Sequence, residues 1–157
     1  MERDQAARIV ASTLADLDLD PTDLGDDRWL VVLTGEWKRT IPVLIEVDER
    51  NVRVTSLFAG VPDEGHREVY EVLLHRNARP APVHFALDDE GDIVLHGRTP
   101  LAAFDTAELD QLLGGVLTMS DETFNTVLRS GFAGYIEREQ AWRAKNGLPP
   151  NPVSSAP

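Results

Sequence analysis

Three short β-rich segments follow one another with only turns between them, and this succession constrains the fold more than any other feature. They occupy residues 29–33, 41–47 and 52–58, and the third alternates apolar and polar residues like a strand with one buried face. Strands joined by short turns pair antiparallel, so the sequence predicts a three-stranded meander. Pro42 cannot donate a hydrogen bond to a strand ladder, and we expect it at the start of its strand or at an unpaired edge.

A second antiparallel unit is predicted around the acidic turn at residues 88–92. Strand-like alternation precedes and follows this turn. Pairing Phe85 with Leu95 collects the apolar side chains on one face of the hairpin. The same register places His84 opposite His96.

Helical periodicity lies on both sides of these strands. Apolar residues at three- and four-residue steps predict a first helix over residues 2–18 and a second over residues 66–77. The C-terminal third is also helical, beginning at Asp105, and we expect one helix to end and another to begin at Ser120. The element order, α-β-β-β-α-β-β-α-α, predicts an α+β two-layer sandwich: a five-stranded, mainly antiparallel sheet with the helices packed on one face.

Size and composition suggest one domain. The chain has 157 residues, which is a common single-domain length, and we expect that domain to span residues 1–145. Residues 18–27 are rich in aspartate and contain Pro21 and Gly25, so they are predicted to form a loop. Residues 146–157 are rich in proline and are predicted to be a disordered tail.

The charge balance argues against several classes of partner. The net charge is −12, with 15 basic residues against 27 carboxylates, whereas binding to a nucleic acid needs clustered lysine and arginine. There is no cysteine, no apolar run of about 20 residues and no apolar signal segment at the charged N-terminus. We therefore expect a cytoplasmic protein that binds neither nucleic acid nor membrane.

The sequence contains no recognisable catalytic or metal-binding motif. There is no nucleophile elbow and no glycine-rich phosphate loop, and no two histidines have the helical spacing of a zinc protease. The predicted pair of His84 and His96 is the one geometric candidate for a metal site. Two histidines without a third ligand favour an ordinary polar sheet face instead. We predict no enzyme activity and no cofactor.

Several side chains are candidates for contacts with a partner or a ligand. Trp29 and Trp37 could anchor an interface if they are exposed, because tryptophan is enriched at binding hot spots, but burial would place them in the core. Arg76 and Asn77 close the second helix, where a cation stabilises the negative helix end, and they could alternatively bind a ligand. Arg129, beside the inner stripe of the last helix, could form an ion pair or contact a ligand.

Five short strings lie at residues 73–78, 83–88, 91–95, 108–113 and 128–132. They resemble the YbjN-type family, and the resemblance covers roughly residues 2–145. The family is described as bacterial sensory-transduction regulators, and its fold is similar to that of type III secretion chaperones. Such chaperones often dimerise and bind segments of other proteins, so the resemblance implies a protein partner and a possible homodimer. It supplies no catalytic residues.

Two functional hypotheses follow. The first is a non-catalytic protein-binding or chaperone-like regulatory module, which acts through an apolar sheet face or groove. The alternative is a small-molecule sensor or enzyme with a pocket between the helices and the sheet, in which His66, His75 or Arg129 would converge.

Overall fold

The computed structural model describes residues 1–150 as four α-helices and six strands. In chain order the elements are α1 (Arg3–Asp16), β1 (Thr22–Asp23), β2 (Arg28–Leu33), β3 (Ile41–Val47), β4 (Asn51–Ala59), α2 (His66–Asn77), β5 (His84–Leu87), β6 (Ile93–Pro100), a 3-10 turn (Leu101–Ala103), α3 (Thr106–Gly131) and α4 (Ala133–Lys145). Residues 146–150 follow α4 without regular structure. The predicted tail therefore lies mostly outside the described residues.

The strands form one antiparallel sheet in the order β1-β2-β3-β4-β6-β5. The predicted α+β fold, the meander and the hairpin are confirmed. Pro42 is the second residue of β3 and lies opposite Val32 of β2, before the point at which β3 begins to pair with β4 at Leu44, so it sits at the start of its strand as expected. The histidine register is also confirmed, with His84 opposite His96.

One face of the sheet carries the hydrophobic core. Alternate side chains of β3, from Ile41 to Val47, are buried, and those of β4 and β6 follow the same period of two. Helices α1, α2 and α3 pack on this inner face. Phe58 lies at its centre, in edge-to-face contact with Phe85 and Phe124 at centroid distances of 5.0 and 6.1 Å.

The sheet has one strand more than the five predicted. Strand β1 falls in the acidic segment that was predicted to be a loop, and Thr22 and Asp23 pair with Leu30 and Trp29 of β2. Both β1 side chains are exposed, so no apolar alternation marks the strand in the sequence. The chain turns back through Asp26 and Asp27, whose φ angles of 55° and 56° lie in the left-handed region that aspartate tolerates.

The helix boundary predicted at Ser120 is wrong. Helix α3 runs through this position without interruption, because Ser120 and Thr123 lie on its buried face and the packing outweighs their preference for helix ends. The break comes instead after Gly131. The Gly131 carbonyl accepts hydrogen bonds from the N–H groups of Asp63 and Glu64, in the loop before α2.

Close packing explains why glycine occupies the end of α3. A Cβ at Gly131 would lie 2.6 Å from Cγ2 of Val69, and one at Gly65 would clash with the carbonyl of Ser130. Gly65 also has a φ of +57°, which favours glycine. These two positions let the end of α3 lie directly against the start of α2.

We expect Ser120→Ala to leave the free energy of unfolding unchanged or to raise it by about 0.5–1 kcal/mol. The Ser120 hydroxyl is buried without a hydrogen-bond partner in the described residues, and alanine is the better helix former. Urea denaturation monitored by circular dichroism checks this. Leu112→Ala, in the same helix, is the positive control and should cost about 2–5 kcal/mol. A loss of more than about 1 kcal/mol for Ser120→Ala would mean that the hydroxyl is paired in solution.

Candidate functional site

The outer face of the sheet, which we call the open face, carries the candidate site. In the described part of the chain, the helices that contact the sheet pack against its inner side. The outward side chains form three rows that run across the strands. The first row is apolar, and its members are Val32, Pro42, Leu57, Val94 and Ala86. The second is mixed, with Leu30, Leu44, Thr55, His96 and His84, and the third is charged, with Arg28, Glu46, Arg53 and Arg98.

The apolar end of the open face is concave and accessible. Val32 is 53% exposed and Leu57 is 50% exposed. A shallow hollow of about 350 Å³ lies beside Leu57, and its lining is mainly apolar. Asp88 and Asp92, of the turn between β5 and β6, form its acidic rim. The open face therefore changes from an apolar hollow with an acidic rim to a basic row at the opposite end.

The two predicted histidines lie in the middle of the open face. His84 is exposed, whereas His96 is half-buried and its Nδ1 is 3.2 Å from the Thr55 hydroxyl. Partial burial, followed by the charges of Arg53 and Arg98, lowers the pKa of His96 below its ordinary value. Within the described residues, no group of three or more histidine and carboxylate side chains is arranged to hold a metal ion.

A second concave region, which we call the polar cleft, brings together three of the predicted candidates. Trp37 enters it from the loop between β2 and β3, Arg76 from the end of α2 and Arg129 from α3. Its volume is about 760 Å³. The remaining lining residues are Glu36, Arg79, Asp121, Glu122, Asn125 and Thr126.

Asp121 fixes the loop that carries Trp37. Its Oδ1 accepts hydrogen bonds from the backbone N–H groups of Trp37, at 2.7 Å, and Lys38, at 2.9 Å. Burial acts to raise the pKa of Asp121, but these bonds and one from the Glu36 N–H bring it below its ordinary value. Sequence reasoning missed this role, because it assigned Asp121 to a helix start. The partner loop is 83 and 84 residues away in the chain, so no local signal exists.

Asn77 has a structural role at the edge of the sheet. Its Nδ2 donates to the Phe85 carbonyl at 3.0 Å, and its Oδ1 accepts from the Phe85 N–H at 2.7 Å. The side chain thus imitates a neighbouring strand and pairs the outward backbone groups of edge strand β5. Pairing or covering an edge strand is a common defence against association through sheet edges.

The two tryptophan candidates lie in different environments. Trp29 is only 8% exposed and belongs to the core on the inner face. Trp37 is 42% exposed. The structure therefore groups Trp37 with Arg76 and Arg129 in the polar cleft, and it places the histidine pair on the open face.

Comparison with known proteins identifies the family. Residues 6–129 match the family described as "YbjN: Putative bacterial sensory transduction regulator". The chain belongs to the YbjN family. An uncharacterized protein of Mycobacterium tuberculosis is 42% identical over 118 residues, which cover 75% of this YbjN chain and 64% of the relative. The match thus spans less than two thirds of that mycobacterial protein.

Two solved structures resemble the YbjN chain in fold. One is the ExoU–SpcU complex from the type III secretion system of Pseudomonas aeruginosa, with a TM-score of 0.52, 22% identity, and coverage of 74% of this chain and 93% of that one. The other is the HopA1–SchA chaperone–effector complex, with a TM-score of 0.58, 11% identity, and coverage of 74% and 91%. The expected type III secretion chaperone-like fold is confirmed. None of the helices within residues 1–150 is long and apolar enough to cross a membrane.

Asn77→Ala should lower the free energy of unfolding by about 1–3 kcal/mol, because both backbone groups of Phe85 lose their partner. Urea denaturation measures the change. The matched control is Arg76→Ala, the preceding residue in α2, whose side chain has no hydrogen bond or ion pair in the described residues and whose substitution should change stability by no more than about 0.5 kcal/mol. Equal effects of the two substitutions would contradict the strand-like role of Asn77.

His96 should make stability depend on pH in a defined direction. Because its pKa in the folded chain lies below the ordinary 6.5, the unfolded chain binds more protons between these two values. Stability is therefore expected to fall as the pH decreases below about 6.5, and His96→Asn should remove that contribution. Urea midpoints at a series of pH values test this. His84→Asn is the control and should retain the pH dependence of the wild type. An unchanged slope in His96→Asn would contradict the assignment.

Proposed function

We propose that this chain is a non-catalytic protein-binding module of the chaperone type, which holds an extended apolar segment of another protein against its open face. The observation that carries the proposal is the uncovered apolar row on the sheet, centred on Val32 and Leu57. A contiguous exposed apolar patch on an otherwise charged protein often marks an interaction site, whereas single exposed apolar side chains do not.

The charge pattern of the open face describes the segment that it would accept. Its apolar hollow is bordered by Asp88 and Asp92, and the far row ends in Arg98, which is exposed and has no ion pair in residues 1–150. A complementary segment would carry apolar residues in its middle, basic residues at one end and acidic residues at the other. Its identity would be set by this order of charges as much as by the apolar contacts.

The fold supports the same proposal by analogy. One of the two structural matches is a chaperone–effector complex, in which a protein of similar fold is bound to another protein. The regulatory description of the YbjN family is consistent with a role through binding. We extend that role to this chain because its inner face is filled by core side chains, whereas its outer face is free in the described residues.

The alternative, a sensor or enzyme with a pocket between helices and sheet, has less support. The layer between the sheet and α3 is filled by fully buried side chains such as Ile45, Leu95 and Leu109. His66 and His75 do not line the polar cleft that contains Arg129. The two histidines that this alternative requires therefore do not converge with Arg129 in one pocket.

The substitution pair Val32→Asp and Leu57→Glu should abolish partner binding without unfolding the chain, since both side chains are already half exposed. Affinity capture with the wild-type chain identifies a partner, and calorimetry with the purified partner then measures Kd. We expect each substitution to weaken binding at least about tenfold, as central apolar contacts do.

The matched control is Tyr135→Glu, which is 54% exposed and lies on α4, a helix that packs mainly on α3 and does not line the hollow of the open face. It should bind as the wild type does. A partner that is bound equally by the open-face variants, or measurable turnover of a substrate by the purified chain, would contradict the proposed function.

A further inference from the structure

We propose that the polar cleft is a binding site for an organic anion, a carboxylate or phosphate group attached to a flat or apolar body. This inference is independent of the open face. The cleft lies on the helical side of the molecule, between the end of α2, the middle of α3 and the loop between β2 and β3. Asp121 of α3 anchors the loop between β2 and β3 that forms one wall.

Free cations outnumber free carboxylates in the polar cleft. Three arginines and three carboxylates line it. Asp121 accepts hydrogen bonds from backbone N–H groups and Glu122 accepts one from Arg79 at 3.0 Å, which leaves Glu36 as the one lining carboxylate whose side chain has no hydrogen bond or ion pair in residues 1–150. The remaining guanidinium groups, those of Arg76 and Arg129, have no ion pair or hydrogen bond in residues 1–150.

Helix capping does not account for Arg76. The last carbonyls of α2 accept hydrogen bonds from backbone N–H groups, such as that of Ala78. The Arg76 side chain donates to none of these carbonyls in the described residues. Arg76 is half-buried and lines the cleft, and its side chain has no ion pair in the described residues although the chain has a net charge of −12. An arginine in that position is available for a ligand that supplies the oxygen atoms.

An amide without hydrogen bonds lies on the cleft wall. The Oδ1 atom of Asn125 is buried and has no hydrogen-bond partner in the described residues. Its Nδ2 atom also has no hydrogen bond there but is not buried, so this donor is open to an oxygen atom of a bound anion. The Thr126 hydroxyl lines the same space.

Trp37 and the size of the cleft indicate more than a bare ion. The indole is 42% exposed, and the cleft volume of about 760 Å³ far exceeds that of a phosphate ion. Aromatic and guanidinium surfaces together bind anions that carry an aromatic or apolar body. Two sources would supply such a group, a small metabolite or an acidic side chain beside an aromatic residue in a peptide.

The test is calorimetric titration of the full chain with phenyl phosphate, inorganic phosphate, citrate and a short peptide rich in glutamate and phenylalanine. We expect saturable binding of phenyl phosphate or of the peptide, which weakens as the salt concentration rises. Arg76→Ala and Arg129→Ala should each raise Kd by roughly 10- to 100-fold, the loss of one charge-assisted contact. Trp37→Ala should weaken phenyl phosphate but not inorganic phosphate.

The matched control is Arg8→Ala, which removes the same charge from an exposed position on α1 that lines neither the polar cleft nor the hollow of the open face, and it should leave Kd unchanged. Circular dichroism and melting temperature verify that every variant is folded. Tighter binding of the small anions assigns the site to a metabolite, and tighter binding of the peptide assigns it to a protein segment. The proposal is overturned if no probe binds, or if the Arg76 and Arg129 variants bind as tightly as Arg8→Ala.

Discussion

The whole structure depends on an antiparallel sheet that buries only one of its faces. Side chains alternate between the two faces along a strand, so every second side chain of β3, β4 and β6 lies in the core. Helices α1, α2 and α3 pack on that face of the sheet. The other side chains then meet solvent unless another molecule covers them. The apolar row that includes Val32 and Leu57 lies outside the core, and its exposure is the observation on which the proposed partner rests.

The edges and corners of the sheet are held by a few polar contacts between distant parts of the chain. Asn77 pairs the outward backbone of β5, and Asp121 fixes the loop between β2 and β3. Both contacts also shape the regions that we propose as recognition surfaces: Asn77 pairs the edge of the hairpin that borders the open face, and Asp121 positions the loop that carries Trp37.

The sequence predicted those elements whose signal is local. The hairpin register follows from alternation on both sides of one turn, so the opposition of His84 and His96 could be derived before the structure. Strand β1 could not, because both of its side chains are exposed and polar, and the boundary at Ser120 was wrong because tertiary packing outweighs the local preference of serine. The polar cleft could not be assembled either, since Trp37 and Arg129 meet only through the fold.

Hydroxyl-radical footprinting, which oxidises side chains in proportion to their exposure to solvent, tests the central claim most directly. In the free chain, Leu57 and Val32 should be oxidised readily and Leu109 should be protected. In the purified complex with a captured protein, we predict strong protection of Leu57 and Val32 and an unchanged signal at Tyr135. Protection of these two side chains already in the dilute free chain, or unaltered oxidation of them in the complex, would contradict it.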